Sequence, residues 1–475
     1  MTSETAVLLL GHGSHADEGS SRPIHDAAER LRRSSPEREV RVAFWKEEPS
    51  LRNAFLLVES PRVVTIPMFT SEGYFTDQVL PRELGITPPV TSVDGLHVRF
   101  TRPVGTHPSM ASVIRERAHG RLLPEASPSE PTTLVILGHG TERHRASGDV
   151  VRDLTERLGA TPGFEDVLCA FLDEEPRVAS VLEEVTTSRA VVVPFFIAEG
   201  WHVGQTIPRD LGLEGGRAVI AGTEVLYADP VGTHPAIDNV IEQMVEEAES
   251  QAWPASGKGT DHDLRRHSVG AQARKAFVAW IEEAGPAGRT FLETRPRCLE
   301  PGRYEIRHVD DIGEGPDDLE RSSDPRDALE IARRTETGLY RPLRTAPGLR
   351  KGWSLQDLSA DELWEAYARL YPVAPVHWHL HRMGQLPTTP FRTTAARQTG
   401  IYAPVKNLTD AQVVSVVASR CGPGGCLRRV AWPLATDEIL SPQGGGSTTA
   451  TVPCPEPCSL FLTEAREAWD RNGGG

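Results

Sequence analysis

Leu10-Gly11-His12-Gly13-Ser14 closes a short apolar run, and the same text returns 127 positions later as Leu137-Gly138-His139-Gly140-Thr141. The offset carries Phe44…Glu47-Glu48-Pro49 onto Phe171…Glu174-Glu175-Pro176, and Ile66-Pro67-Met68-Phe69 onto Val193-Pro194-Phe195-Phe196. It also carries Glu72-Gly73-Tyr74 onto Glu199-Gly200-Trp201, and Pro103–Pro108 onto Pro230–Pro235. Five blocks at one spacing define an internal repeat. Two homologous units, residues 1–123 and 132–250, are joined by the Pro/Ser-rich stretch Pro124–Pro131.

Within the first unit, Ala6–Leu10, Val40–Phe44, Arg62–Pro67 and His97–Thr101 read as strands. Helical patterns cover Ile24–Arg33 and Gln78–Leu84, with others starting at Ser50 and Ser109. Short apolar runs separated by helices predict an α/β domain whose parallel sheet is covered on both faces. Ligands in such sheets bind beyond the carboxyl ends of the strands. That directs attention to His12, Glu47 and Glu72, and to their partners His139, Glu174 and Glu199.

The remaining chain has another texture. After a polar linker, Trp253–Asp263, residues 264–370 carry helical patterns at Ala271–Glu283, Pro325–Arg334 and Ala360–Leu370, with one strand at Arg303–Val309. This predicts a mainly helical α+β domain. Residues 371–462 form a small cysteine-rich segment, full of Pro and Gly, that an apolar core alone would struggle to hold together.

The 475 residues are 39% apolar and 25% charged, enough for sizeable cores, with a net charge of −15. That balance argues against nucleic acid or anionic lipid as the partner. Apolar runs such as Ala190–Ile197 are far too short to span a bilayer, and Met-Thr-Ser-Glu-Thr lacks the basic start of a signal peptide. A soluble cytoplasmic protein is the expectation, with its oligomeric state open.

Two constellations carry chemistry. In the second unit, His139 lies in a Gly-His-Gly turn after a strand and His202 in Glu199-Gly200-Trp201-His202 after another. Both stand at strand ends, where two imidazoles suit a divalent first-row metal. A His between two glycines can also merely cap a turn, but a turn has no reason to demand His twice. The second constellation is Cys421-x4-Cys426, 27 residues, then Cys454-x3-Cys458. Two close thiol pairs in a reducing compartment point to metal before disulfide. Zinc pairs are most often spaced by two residues, whereas iron–sulfur clusters tolerate other spacings. Cys169 reads as a core thiol. The triplet His377/His379/His381 would share one face if extended, a candidate metal or ligand contact, and otherwise belongs to a polar strand face or a helix start.

The repeated blocks resemble the CbiX-type sirohydrochlorin chelatases of the class II chelatase group, over roughly residues 5–245. The resemblance rests on Leu-Gly-His-Gly-Ser/Thr, Ala-Phe-Leu-Asp-Glu-Glu-Pro (170–176), Pro-Phe-Phe-Ile-Ala-Glu-Gly-Trp-His (194–202) and Gly-Thr-His-Pro (232–235). It implies ATP-independent insertion of a divalent metal into sirohydrochlorin, with His139 and His202 binding the metal and assisting deprotonation. The first unit departs from the pattern, because Phe75 stands where the second has His202. One competent metal site in the second unit follows, the first unit forming the opposing wall; His12 either assists or is a relic of duplication. Glu174, Glu175 and Glu199 are candidate acids for attracting the cation or relaying protons, Glu175 foremost, or else solvated acids ahead of Pro176. Residues 372–460 resemble the 4Fe-4S module that follows a helical stabilising domain in some tandem CbiX-like proteins. That resemblance implies a cluster on Cys421, Cys426, Cys454 and Cys458.

The leading expectation is a lyase-class chelatase loading Co²⁺ into sirohydrochlorin for cobalamin. Iron for siroheme is the nearest alternative, and Ni²⁺ is also open. A redox or metal-handling protein on a chelatase-like scaffold is the alternative of another class.

Overall fold

The computed structural model describes residues 4–93, 95–122, 130–140, 146–200, 202–253, 269–386, 389–398, 400–422, 424–431, 451–452 and 457–471. Its chain divides into two compact units, Met1–His267 and Ser268–Gly475.

The first unit holds both repeats. Each is a five-stranded sheet. The first has the order β2-β1-β3-β5-β4, from β1 (Thr5–Gly11), β2 (Val40–Phe44), β3 (Arg62–Pro67), β4 (Val90–Val93) and β5 (Leu96–Phe100). The second repeats it as β7-β6-β8-β10-β9, from β6 (Thr132–Gly138), β7 (Asp166–Phe171), β8 (Arg189–Pro194), β9 (Arg217–Ile220) and β10 (Thr223–Tyr227). The central strands β1, β6 and β8 are buried along their whole length, as continuous apolar runs require. The edge strands β4 and β9 run antiparallel to their neighbours and were not expected. Register aligns the carboxyl ends of three strands in each sheet. Gly11 stands beside Phe44 and Leu10 beside Pro67; Gly138 stands beside Phe171 and Leu137 beside Pro194. The residues that follow these ends therefore converge.

Helices Arg22–Ser34, Met110–Leu122, Ala146–Gly159 and Ile237–Ser250 contribute Leu31, Ile114, Leu154 and Ile241 to one core cluster shared by the repeats. At its margin the Arg30 guanidinium donates to both oxygens of Asp238, at 2.6 and 2.9 Å. Arg117 donates to Thr233 Oγ1 at 2.6 Å and Arg121 to the Tyr227 carbonyl at 3.0 Å. Shared apolar burial and these polar links join the two repeats side by side.

The second unit opens with the helix Val269–Glu282 and holds more strand than its sequence suggested. A four-stranded sheet orders Thr294–Glu300, Arg303–His308, Trp353–Leu358 and Glu320–Ser322, of which one was expected. Its buried positions include charged residues: Glu305 accepts from Arg307 at 2.6 Å and Ser354 Oγ at 2.8 Å, so no clean apolar alternation was there to read. The helix Ala374–Arg382 packs on Val269–Glu282 through Trp378, whose ring lies 5.1 Å from Trp280 and 5.6 Å from Phe277. Being helical, it splits the histidine triplet: His377 is fully buried, whereas His379 and His381 keep partial exposure. In the cysteine-bearing segment, Asp410–Arg420 and Ser459–Arg471 pack Val413, Val417, Phe461 and Ala465 into a small core that includes Cys421. No helix among the described residues is long and apolar enough to cross a membrane.

Candidate active site

The Gly-His-Gly turns begin where β1 and β6 end. Gly13 and Gly140 take φ of +66° and +69°, and a Cβ on Gly140 would meet Glu174 Cβ at 2.7 Å and Phe171 Cβ at 2.9 Å. Backbone conformation and lack of space both demand glycine. The histidine before each is thereby fixed. Nδ1 of His12 lies 2.8 Å from the Gly13 carbonyl, and Nδ1 of His139 lies 2.9 Å from the Gly140 carbonyl. A carbonyl only accepts, so Nδ1 carries the proton and each neutral ring presents its lone pair on Nε2. Metal-binding imidazoles are held this way, the second nitrogen fixed by a backbone acceptor.

The surroundings of the two rings differ. Asp173 Oδ2 lies 3.4 Å from His139 Nδ1, and Phe196 flanks the ring at 6.3 Å. The counterpart of Asp173 is Lys46, and that of Leu172 is Trp45. His12 packs against Trp45 at 5.2 Å and Phe75 at 5.4 Å, and Lys46 Nζ sits 3.7 Å from the Trp45 ring centre. Loss of hydration among these groups lowers the His12 pKa below the usual imidazole value, opposed by its bond to Gly13 and reinforced by Lys46. His15 is lowered chiefly by burial and then by Lys46. His139 thus has a carboxylate beside its Nδ1, whereas His12 feels the ammonium of Lys46.

Sequence reasoning missed Asp173, although aligning Phe44-Trp45-Lys46-Glu47 with Phe171-Leu172-Asp173-Glu174 exposes the charge reversal. Glu47 and Glu174 serve the scaffold. Glu47 is buried, accepting from Ser14 N and Ser21 Oγ, both at 2.8 Å, and Glu174 is held by the Arg152 guanidinium. Glu175 is exposed and accepts from Arg177 N at 3.0 Å. The repeated Gly-Thr-His-Pro blocks also have structural work: His107 and His234 each accept, at 3.2 Å, from the backbone N–H two residues on, ahead of the helices Met110–Leu122 and Ile237–Ser250.

His202 opens a π-helical turn, His202–Thr206, and its side chain lies outside the described residues. The matching turn in the first repeat, Phe75–Val79, begins with the ring that touches His12. Such turns are frequent at functional sites. The repeats meet near these loops: a Cβ on Gly19, in the loop after β1, would stand 3.1 Å from the Glu199 carbonyl. Thr141 and Cys454 also lie outside the described residues.

None of Cys169, Cys298, Cys421, Cys426 and Cys458 is in a disulfide. Cys169 is half-buried, and burial raises its pKa. Burial is also the main cause that raises the Cys458 pKa, and the neighbouring Cys426 adds to it. Among the described residues no three His, Cys, Asp or Glu side chains converge on one point. In donor chemistry the four-cysteine set, with no disulfide among its described members, fits a thiolate-held centre.

Comparison with known proteins gives a consistent picture. A model of the CbiX family matches residues 6–120 and 133–248. A DR2241 stabilising domain matches 274–382, and a 4Fe-4S iron-sulfur cluster binding domain matches 383–467. A probable sirohydrochlorin cobaltochelatase of Halobacterium salinarum is 36% identical over 266 residues, covering 51% of this chain and 91% of its own. The sirohydrochlorin cobaltochelatase of Methanopyrus kandleri is 30% identical over 137 residues, 24% of this chain and 95% of its own. Among solved structures, DR2241 of Deinococcus radiodurans superposes with a TM-score of 0.80 at 30% identity, covering 98% of this chain and 99% of that one. It is described as a multi-domain protein structurally similar to chelatases, with two additional novel domains.

Proposed function

We propose, from the premise that this chain belongs to the CbiX family of chelatases and carries its domain twice, that it inserts Co²⁺ into sirohydrochlorin on the way to cobalamin. The observation that carries the reading is His139, whose Nδ1 is committed to the Gly140 carbonyl beside Asp173. That geometry leaves a basic nitrogen and a carboxylate together at a strand end. Insertion must strip water from the ion and two protons from the pyrrole nitrogens. In the proposed mechanism, His139 Nε2 and His202 hold the ion in an open site; in the repeat alignment His202 is the counterpart of Phe75. The imidazoles take up the pyrrole protons as the ring nitrogens replace them on the metal, and Asp173 stabilises the imidazolium that forms. Glu175, on the same turn, adds negative charge at the mouth. His12 holds no metal in this scheme, because Phe75 and Lys46 replace the second ligand and the carboxylate.

Cys421, Cys426, Cys454 and Cys458 would hold the 4Fe-4S cluster, which supplies a structural cross-link or a one-electron centre. No step of insertion passes through it. We place the protein in the cytoplasm, where thiols stay reduced.

The test is anaerobic. Purified protein is mixed with sirohydrochlorin, Co²⁺, Fe²⁺ or Ni²⁺ is added separately, and the visible spectrum is followed. Imidazole ligation does not choose among these ions, so the rates rank them. A metal-dependent shift faster than the protein-free control, and lost in His202→Ala, is the expected result. No acceleration with any ion sinks the reading.

A further inference from the structure

The first repeat has lost a metal site, but its loops are not blank. Trp45, Phe69 and Phe75 make a continuous aromatic cluster, with Phe75 5.1 Å from each of the other two rings. His12 closes the group against Trp45 and Phe75. Trp45 and Tyr74 leave 37% and 56% of their surface exposed, a large apolar area at the place where a ligand would approach. Lys46 supplies a cation over the Trp45 ring at 3.7 Å, with no carboxylate partner among its described contacts. The chain has five lysines and uses arginine almost everywhere else, including the inter-repeat ion pair with Asp238. Against the second repeat the exchange is systematic: Leu172 becomes Trp45, Asp173 becomes Lys46 and His202 becomes Phe75. Groups that attract and hold a dication are replaced by aromatic rings and a positive charge.

A planar, polycarboxylated macrocycle is the ligand class such a set suits. Rings stack on its face and a compact ammonium takes a carboxylate. The loop carrying His12 also carries Gly19, which lies against the backbone of Glu199 in the second repeat's Glu-Gly-Trp-His loop. The two loop clusters thus border one seam. We infer that Trp45, Lys46, Phe75 and His12 form a metal-free binding station for the tetrapyrrole, holding its face and one acidic arm while the second repeat handles the ion. This inference rests on the chelatase reading for the identity of the ligand.

Metal-free sirohydrochlorin is titrated anaerobically into the full-length protein, followed by tryptophan fluorescence, and steady-state insertion of Co²⁺ is measured alongside. Lys46→Glu should raise both Kd and KM about tenfold, the scale of one charge-assisted contact, and leave kcat within about twofold. Lys46→Arg should bind within about threefold of wild type, and added salt should weaken wild type more than Lys46→Glu. His139→Ala should bind normally and lose turnover. If Lys46→Glu does not fold, by circular dichroism, Lys46→Gln makes the same comparison without charge reversal. A Kd unchanged in the charge-removing variant overturns the station. Turnover that survives in His139→Ala would instead strike the chelatase site, leaving the station's own result standing.

Discussion

Gly140→Ala and Gly85→Ala form a matched pair that separates backbone strain from displacement of the catalytic loop. Both glycines sit at φ +69°, so alanine costs each about 1–2 kcal/mol in the left-handed region. Space distinguishes them. Nothing lies within 4 Å of a Cβ on Gly85, whereas one on Gly140 would stand 2.7 Å from Glu174 Cβ and 2.9 Å from Phe171 Cβ. Ordinary carbon contacts are about 3.5–4.0 Å, so the turn must move by about 1 Å to admit the methyl. The group that moves is His139, whose Nδ1 bond to the Gly140 carbonyl fixes its ring. A 1 Å misplacement at a reacting centre costs on the order of a hundredfold in rate. Thermal unfolding of the two variants should show losses of a few degrees, at ~2–4 °C per kcal/mol. Insertion assays should then find Gly85→Ala close to wild type and Gly140→Ala about a hundredfold slower. Equal turnover in both, at matched folded fraction, would refute the claim that this turn positions the chemistry.

Acid should weaken the fold. His12, His15, His234, His377 and His379 are each held below the ordinary imidazole pKa, burial being the largest cause in every case. The unfolded chain therefore binds protons first as pH drops below about 6.5, and stability falls from there, buried His377 alone contributing up to ~1.4 kcal/mol per pH unit. Unfolding midpoints measured from about pH 8 down to about pH 5 should decline only below the unfolded-state value, and a flat profile would contradict the burial argument. Arg30→Ala should cost about 1–2 kcal/mol, because the bidentate pair with Asp238 is only partly exposed, and a double-mutant cycle with Asp238→Ala should recover roughly 1 kcal/mol of coupling. Zero coupling would remove that pair from the forces joining the repeats. Cys421→Ala should abolish the visible absorption of the cluster and lower the unfolding midpoint, while insertion per folded molecule stays within about twofold. A large loss of turnover would draw the cluster into the reaction.

The repeated half of the chain was legible because its central strands are buried on both faces. Leu8, Leu9 and Leu10, like Val191, Val192 and Val193, leave continuous apolar runs that need no partner to be recognised. The edge strands Val90–Val93 and Arg217–Ile220 are half-exposed and short, and left no such run. The sheet in the second unit escaped notice because Glu305, Arg307 and Ser354 stabilise buried positions by charge and hydrogen bonds rather than apolar contact. His139 stands out in the sequence by its Gly-His-Gly turn. Asp173 was passed over because Glu174 and Glu175 beside it are the acids that match between repeats, although Glu174 is held in the scaffold by Arg152. In the proposed scheme the residues that differ between the repeats carry the chemistry that differs. Where the His377 helix packs follows from Trp378 and Trp280, which are far apart in sequence, and no local pattern announces such a contact.

The division of labour between the repeats is tested most directly by the turnover of His139→Ala against that of His12→Ala. Co²⁺ insertion is followed anaerobically at saturating sirohydrochlorin, on protein of equal folded fraction. Loss of a metal-binding imidazole should lower kcat of His139→Ala by about a hundredfold or more, equivalent to ~2.7 kcal/mol of barrier, while His12→Ala keeps kcat within about threefold. Equal losses in the two variants, or a larger loss in His12→Ala, would contradict a single metal site in the second repeat.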